Sequence, residues 1–287
     1  MRTEARRRYD GHRRVLGEMD ASVNVIEAPD VERKTPRGVV RPALRPSAAL
    51  APAIPAYLMD TYYWAYLNPR NVRLLDRELV VSVILWGQHR RLRREAFREL
   101  RPGQKVLQPA CVYGDFSPAL ARYLGPRGRL EVIDVAPIQV AGCRRKLRGF
   151  PQATVRHADA TAPGGGPYDA VCCYFLLHEL PEDYKRAVVD ALLMSVVPGG
   201  KVVFMDYHKP HPAHPLKGVT SIVFDTLEPY AKSLWRHEIA EFAGAAEGFT
   251  WRKETYFGGL YQKIVARRLA VPAREQDAPR HTHCVPG

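Results

Sequence analysis

The chain reads as an α/β protein built on a Rossmann-like, mostly parallel sheet, and three observations point there. From Lys105 to Asp206, short apolar segments alternate with amphipathic ones. An acid, Asp134, closes the second apolar segment, twenty residues after Gly114. Turns rich in glycine and proline separate the later segments, the sharpest at Pro198-Gly199-Gly200. Strands alternating with helices imply a parallel sheet covered on both faces. Right-handed crossovers then make it doubly wound.

The elements follow in order. Residues 1–50 are charged, then rich in proline and alanine, with no sustained period, which predicts a disordered basic tail. Residues 51–100 predict an N-terminal helical lid. Its first helix packs five aromatics between Tyr57 and Tyr66, and Asn68-Pro69 stops it. Helical spacing puts Met59, Tyr62 and Tyr66 on one face. A second helix is expected over 74–86, and a third, basic and amphipathic, over 88–100. The Rossmann-like domain spans 101–268. Its parallel strands are expected at 105–107, 129–134, 153–157, 168–175 and 201–206, with helices at 117–124, 138–147 and 182–195. After His208 come a loop, helices over 221–234 and 237–243, and an antiparallel strand pair near 251–256 and 261–266. Residues 269–287 predict a second disordered tail.

Composition narrows the function classes. The 287 residues, 46% of them hydrophobic, suffice for one sizeable domain with decorated ends. No run of 18 apolar residues occurs, so no spanning helix is expected. The N-terminus lacks the apolar segment of a signal peptide. The five cysteines, Cys111, Cys143, Cys172, Cys173 and Cys284, form no C-x-x-C pair. Neither a zinc site nor a disulfide framework is indicated, and a reducing cytoplasmic compartment fits. The formal net charge of +13 is dominated by arginine. It reads equally as solvated basic faces or as attraction to an anionic membrane surface. No zinc-finger or RNA-binding signature accompanies it, so nucleic acid is not the expected partner.

In this fold, ligands sit outside the carboxyl ends of the strands, where strand order reverses. The first strand opens into the turn Gln108-Pro109-Ala110-Cys111-Val112-Tyr113-Gly114-Asp115-Phe116-Ser117. Asp134 ends the second strand, where an acid accepts hydrogen bonds from ribose hydroxyls. Asp159 follows the third strand, toward the adenine end, although a lone aspartate there also serves as a helix cap. A dinucleotide would need more glycines where its pyrophosphate meets a helix. This turn has one glycine and an acid, Asp115, which favours a cationic sulfonium cofactor, S-adenosylmethionine (SAM). The expected cofactor-binding set is Gln108, Ala110, Val112, Tyr113, Gly114, Asp134, Val135, Asp159, Ala160 and Tyr174. The expected catalytic set is Tyr113, Asp115, His178 and His208. Tyr113 as a packing residue, Asp115 as a cap and His178 as a structural histidine stay open beside it. The spacing His208-x-x-His211-x-x-His214 suggests a metal cluster, but Pro210, Pro212 and Pro215 break any shared helical face. His211 and His214 therefore read as loop residues. Asp115, Glu179 and Asp206 are carboxylates that could face a metal, with nothing in the spacing to choose among them.

The segments Lys105-Val106-Leu107, Tyr168-Asp169-Ala170-Val171, Leu176-Leu177-His178-Glu179-Leu180 and Val197-Pro198-Gly199-Gly200-Lys201, with Asp134, resemble class I SAM methyltransferases, most of all those acting on quinones. The first motif departs from their acid-x-Gly-x-Gly-x-Gly pattern. Gln108, Ala110 and Val112 stand where the acid and two glycines would be, and only Gly114 survives. The altered turn Val112-Tyr113-Gly114-Asp115-Phe116-Ser117 and the stretch Asp206-Tyr207-His208-Lys209-Pro210-His211-Pro212 resemble the rhodoquinone biosynthesis (RquA) family. That likeness covers about residues 54–268. It implies conversion of ubiquinone to rhodoquinone, with a ring methoxy group replaced by an amino group, SAM as amino donor and Mn2+ assisting. A polyprenyl quinone substrate implies a protein peripherally associated with the inner membrane, and the aromatic segment 57–66 and basic helix 88–100 read equally as an interfacial lid or as ordinary helices covering the sheet edge. Methyl transfer to a quinone or another lipid is the first alternative. A non-catalytic SAM- or nucleotide-binding accessory protein is the second.

Overall fold

The computed structural model describes residues 23–26, as backbone, and 52–270. A first strand β1 (Val23–Ile26) precedes a helical region comprising α1 (Ala56–Asp60), a π-turn (Tyr63–Leu67), α2 (Pro69–Leu75), α3 (Glu78–Ile84) and α4 (His89–Phe97). The alternating part follows as β2 (Lys105–Gln108), α5 (Phe116–Leu124), β3 (Arg129–Asp134), α6 (Pro137–Lys146), β4 (Ala153–His157), β5 (Tyr168–Tyr174), α7 (Glu182–Met194) and β6 (Val196–Tyr207). Then come α8 (Lys217–Leu227), short 3-10 turns, and the hairpin β7 (Phe249–Tyr256) and β8 (Tyr261–Arg268).

The strands form one eight-stranded sheet in the order β1-β7-β8-β6-β5-β2-β3-β4. Strands β4, β3, β2, β5 and β6 are parallel neighbours, β8 pairs antiparallel with β6, and β7 pairs antiparallel with β8. From β2 the chain winds out through β3 and β4, then returns to the other side of β2 as β5. The switch point therefore lies between β2 and β5, where a crevice opens.

The strand residues explain the two-sided burial. On β5, Ala170, Cys172 and Tyr174 enter the core of one face, while Val171 and Cys173 enter the other. Val106 and Leu107 of β2 divide the same way. Period-two alternation of apolar side chains on both faces is what a parallel sheet covered twice requires. Burial pushes both Cys172 and Cys173 thiols up, as fits inert core cysteines.

The structure redraws several expected boundaries. The tail 1–50 contains β1, which pairs antiparallel with β7; its remainder, like residues 271–287, lies outside the described residues. The helix expected over 74–86 is two helices, because the Asp76 carboxylate is used at their junction to accept from the Gly114 N–H at 2.9 Å and the Lys146 ammonium at 2.6 Å. The helix expected over 221–234 starts at Lys217 and stops at Leu227, since Glu228 precedes Pro229 and leaves the helical region at φ −131°, ψ 63°. The helix expected over 237–243 is a single 3-10 turn, Ile239–Phe242. Strand β6 begins five residues early, pairing Tyr168 with Val196 across a register shift.

The basic helix α4 turns its apolar face inward. Its apolar residues Leu92, Ala96 and Phe97 are buried, with the Phe97 ring 5.4 Å from Phe116 and 5.3 Å from Tyr123. Just past its end, Glu99 accepts from Lys263 at 2.9 Å and Arg252 at 2.5 Å on the hairpin. Burial raises the Glu99 carboxyl, but these two cations outweigh it and hold the group down at about 2. That network fixes α4, and α4 in turn helps to fix the turn after β2.

Candidate active site

The main cavity opens at the carboxyl ends of β2, β3 and β5 and encloses about 1320 Å³ of space including its mouth. The helical region forms one wall, with Tyr57, Trp64, Tyr66 and Ile84 facing it, and the strand-end loops form the other.

Asp134 lies at the end of β3 and lines the cavity. Its two oxygens accept from the Cys111 N–H and the Ala136 N–H, each at 2.8 Å. Burial raises its carboxyl to about 6, and those N–H groups pull against that shift. A carboxylate retains further lone pairs for ligand hydroxyls. Asp159 and Ala160 after β4, and Val135 after β3, line the same cavity. Asp159 also closes its own turn, accepting from the Thr161 N–H and hydroxyl, both at 2.8 Å. An acid, apolar walls and a switch-point crevice suit the nucleoside end of SAM.

The turn after β2 divides. Ala110, Val112 and Tyr113 face the cavity, but Gln108, Gly114 and Asp115 do not line it. Gln108 is fully buried, donating to the Ala110 carbonyl at 2.7 Å and the Ser117 hydroxyl at 2.9 Å, so it braces the turn from behind. Gly114 has φ +74°, and a Cβ there would lie 3.4 Å from Val81 of α3. Lys146 of α6 donates to the Val112 and Gly114 carbonyls at 3.1 and 3.0 Å and to Asp76. A turn stripped of glycines is thus held by carboxylates and a lysine from neighbouring elements. This has an electrostatic consequence. The N–H groups of Cys111 and Gly114, which could cradle a phosphate, are already taken by Asp134 and Asp76. The argument against a dinucleotide therefore moves from Asp115 to these two acids.

Two expected catalytic residues are corrected. Asp115 forms an ion pair with Arg93 of α4 and faces a separate small pocket, so its charge is neutralised there. His208 donates from Nδ1 to the Gly259 carbonyl, 2.8 Å away, and lines a third cavity beside His237 and Glu238. Tyr113 does face the main cavity, with its ring stacked on Tyr66 at 5.5 Å. Its hydroxyl donates to the Ala65 carbonyl at 2.5 Å and accepts from Gln139 at 2.9 Å. Burial pushes that phenol up, so it stays neutral. Tyr174 lines the cavity while stacking on Phe116 at 4.0 Å.

His178 is the best-supported chemical group. Phe175, at φ +51°, turns the chain at the end of β5, so that the 3-10 turn Leu177–Glu179 points into the cavity. Such a left-handed conformation costs a bulky residue ~1–3 kcal/mol and marks functional sites. The His178 Nδ1 is 2.8 Å from Asp206, which is 1% exposed and also accepts from the Leu177 and Tyr207 N–H groups at 2.8 Å. The His178 Nε2 lies 3.7 Å from Glu179. Burial lowers the imidazole, but Asp206, then Glu228 and Glu179, reverse this and raise it to about 9. Burial raises the Glu179 carboxyl to about 8, and the Tyr66 hydroxyl donates to it. Burial also raises Glu228, whose Oε2 is buried without a hydrogen-bond partner.

Sequence reasoning missed Glu228, Asp76, Lys146 and Gln139. Glu228 follows a helix and precedes a proline, a pattern that signals a stop and nothing chemical. The aromatic spacing had grouped Tyr62 with Tyr66, but not with Glu179. The carboxylates Asp115, Glu179 and Asp206 do not converge, and among the described residues no group of three or more histidine, cysteine, aspartate or glutamate side chains is arranged to hold a metal ion. The donor set does not fit Mn2+, and no step is routed through it. His214 packs on Phe257 at 5.1 Å, and the Nδ1 of His211 accepts from the Ala213 N–H, so both serve the loop.

Sheet order, the antiparallel hairpin and the switch-point cavity define the fold of the class I SAM methyltransferases. Residues 106–200 match the family described as Methyltransferase domain. The chain is 30% identical over 139 residues to the demethylmenaquinone methyltransferase of Bacillus cytotoxicus, covering 46% of this chain and 58% of that protein. It is 26% identical over 140 residues to the ubiquinone/menaquinone biosynthesis C-methyltransferase UbiE of Shewanella halifaxensis, covering 46% and 55%. The chain thus spans a little over half the length of these curated relatives. Among solved structures, an O-methyltransferase family protein from Burkholderia thailandensis superposes with a TM-score of 0.55 at 15% identity, covering 73% of this chain and 63% of that one. A possible exported protein from Bordetella parapertussis gives 0.52 at 23%, covering 71% and 74%. Both bear on the fold alone. Among the described residues, no helix is long and apolar enough to cross a membrane.

Proposed function

We propose that this chain binds SAM and transfers its amino group to the ring of ubiquinone, displacing a methoxy group to give rhodoquinone. The observation that carries the reading is the buried cluster of His178, Glu179 and Glu228 at the cavity, with Asp206 2.8 Å from the His178 Nδ1. Addition of an amine to a quinone ring places negative charge on a ring oxygen, and the departing methoxide needs a proton. An imidazolium backed by Asp206 stabilises the first and can supply the second. Methylating a quinol ring carbon instead requires a base to take a proton, a role that a carboxylate with a raised pKa also fills. SAM, when bound, would supply the amino nitrogen: the ring C–N bond forms as methoxide leaves as methanol, and the bond from that nitrogen to the SAM Cα breaks by oxidation of Cα at the quinone ring's expense and hydrolysis, the carbon skeleton leaving as a 2-oxo acid and the ring as the quinol. Asp134 accepts from its ribose hydroxyls, and Val135 and Ala160 offer an apolar surface at that end. Ala110, Val112 and Tyr113 add bulk where a methyltransferase has glycines, and so favour a different placement of the methionine end.

The curated relatives favour a second reading, methyl transfer to a quinone. Mass spectrometry after incubation with 15N-amino-labelled SAM and a short-chain ubiquinone separates the two, with Mn2+ and chelator arms run alongside. Amination gives loss of methoxy and one 15N in the product. A methyl gain on a demethylated quinol supports the second reading. SAM binding without product leaves the non-catalytic accessory role and sinks both.

A further inference from the structure

We infer that α3 and α8 form a docking face for an anionic lipid bilayer, with the mouth of the cavity turned toward the membrane. This rests on the proposed lipid-soluble substrate, but the surface is drawn from separate observations. Helix α3 has the sequence Glu-Leu-Val-Val-Ser-Val-Ile, and none of its residues is buried. Leu79 is 76% exposed and Val83 69%, one helical turn apart on one face. Trp86 follows at 38% and Leu74 of α2 precedes at 52%. On α8, Val219, Ile222 and Val223 recur at helical spacing and are exposed, Ile222 at 66%. A soluble surface scatters such residues singly, and clusters of them mark a contact site.

Two features select a bilayer as the occupant. The first is position. Trp64 and Ile84 are exposed and also line the cavity, and Leu227, the exposed end of α8, adjoins the cavity residue Glu228. Exposed apolar residues at or next to both helices therefore adjoin the cavity, as suits a ligand that arrives from the hydrocarbon phase. The second is charge. Arg70, Arg73 and Arg77 are exposed around α2 and α3, whereas the acids there are engaged, Asp76 by Lys146 and Glu78 by His89 and Arg90. Apolar side chains flanked by arginines match an anionic headgroup layer over a hydrocarbon interior. A second copy of the chain would set these arginines against each other.

The test is flotation of the full chain with phosphatidylcholine vesicles containing or lacking phosphatidylglycerol, compared with a Leu79→Glu/Val83→Glu variant. Neither side chain lines the cavity, and their exposure leaves the fold indifferent to the change. The native chain is expected to float with the anionic vesicles, less so at high salt, and the variant's partition coefficient to fall by about tenfold or more. Failure of the native chain to float, or equal flotation of the variant, overturns the inference. So does a concentration-dependent dimer, seen by sedimentation, that the variant abolishes while flotation is absent. Turnover of a tailless quinone in solution reads the proposed activity separately and is expected to be the same in both proteins.

Discussion

Replacing Asp206 with asparagine isolates the source of the proton on His178. The imidazole is fully buried, and burial alone would hold it below its ordinary value of 6.5. It stands at about 9 because Asp206 lies 2.8 Å from Nδ1 and carries a full charge in a site 1% exposed. Asparagine keeps the shape and removes the charge. The imidazole is then expected to titrate much closer to 6.5, a fall of at most about 2.5 pH units. At ~1.36 kcal/mol per unit, that is about 3.4 kcal/mol of differential stabilisation, an upper figure because Glu179 and Glu228 remain. The assay is an NMR titration of the His178 ring in both proteins, paired with a pH profile of turnover. The native ring should stay protonated through neutrality and lose its proton near pH 9, while the variant's should lose its proton closer to neutrality, with turnover falling off at correspondingly lower pH. A ring still titrating near 9 in Asp206→Asn would refute the reasoning and assign the proton to the two glutamates.

Three further outcomes follow from the same geometry. Glu179 has a folded value near 8 against 4.5 ordinarily, so the folded state binds the extra proton between those values and stability falls as pH rises through the window. Urea unfolding from pH 5 to pH 8 should show a shallower loss for Glu179→Gln than for the native chain, and parallel curves would contradict this. Gly114→Ala forces a side chain into φ +74° with Val81 at 3.4 Å, and should lower stability by about 1–2 kcal/mol in thermal melts. Asp134→Ala leaves the Cys111 and Ala136 N–H groups unpaired and removes the expected ribose acceptor; calorimetry should show SAM affinity down by about tenfold or more.

What the sequence disclosed and what it withheld divide along a physical line. Periodic burial is local, so β3 and β4 were legible to the residue, and Asp134 followed from its position at a strand end. The same logic brought Ala110, Val112, Tyr113, Val135, Asp159, Ala160, Tyr174 and His178 to one cavity. Charge partners are set by tertiary contact and left no local trace. Asp115 looked free in sequence because Arg93 stands 22 residues away, and Asp76 looked like a surface acid because Gly114 and Lys146 are 38 and 70 residues away. The same blindness hid the cluster around His178, which joins a 3-10 turn after β5, the end of β6, the π-turn and the loop after α8. The aromatic segment reads equally as an interfacial lid or as an ordinary helix. The fold turns Tyr62 and Tyr66 inward, leaves Tyr63 and Trp64 exposed, and places half of the large exposed apolar residues among those described on α3 and α8. The altered turn illustrates why composition alone misleads here. Losing two glycines looks like decay of a binding loop. In the fold the same turn is held at Cys111 by Asp134, at Gly114 by Asp76 and at two carbonyls by Lys146, and a turn secured by that many independent partners is built for a defined shape.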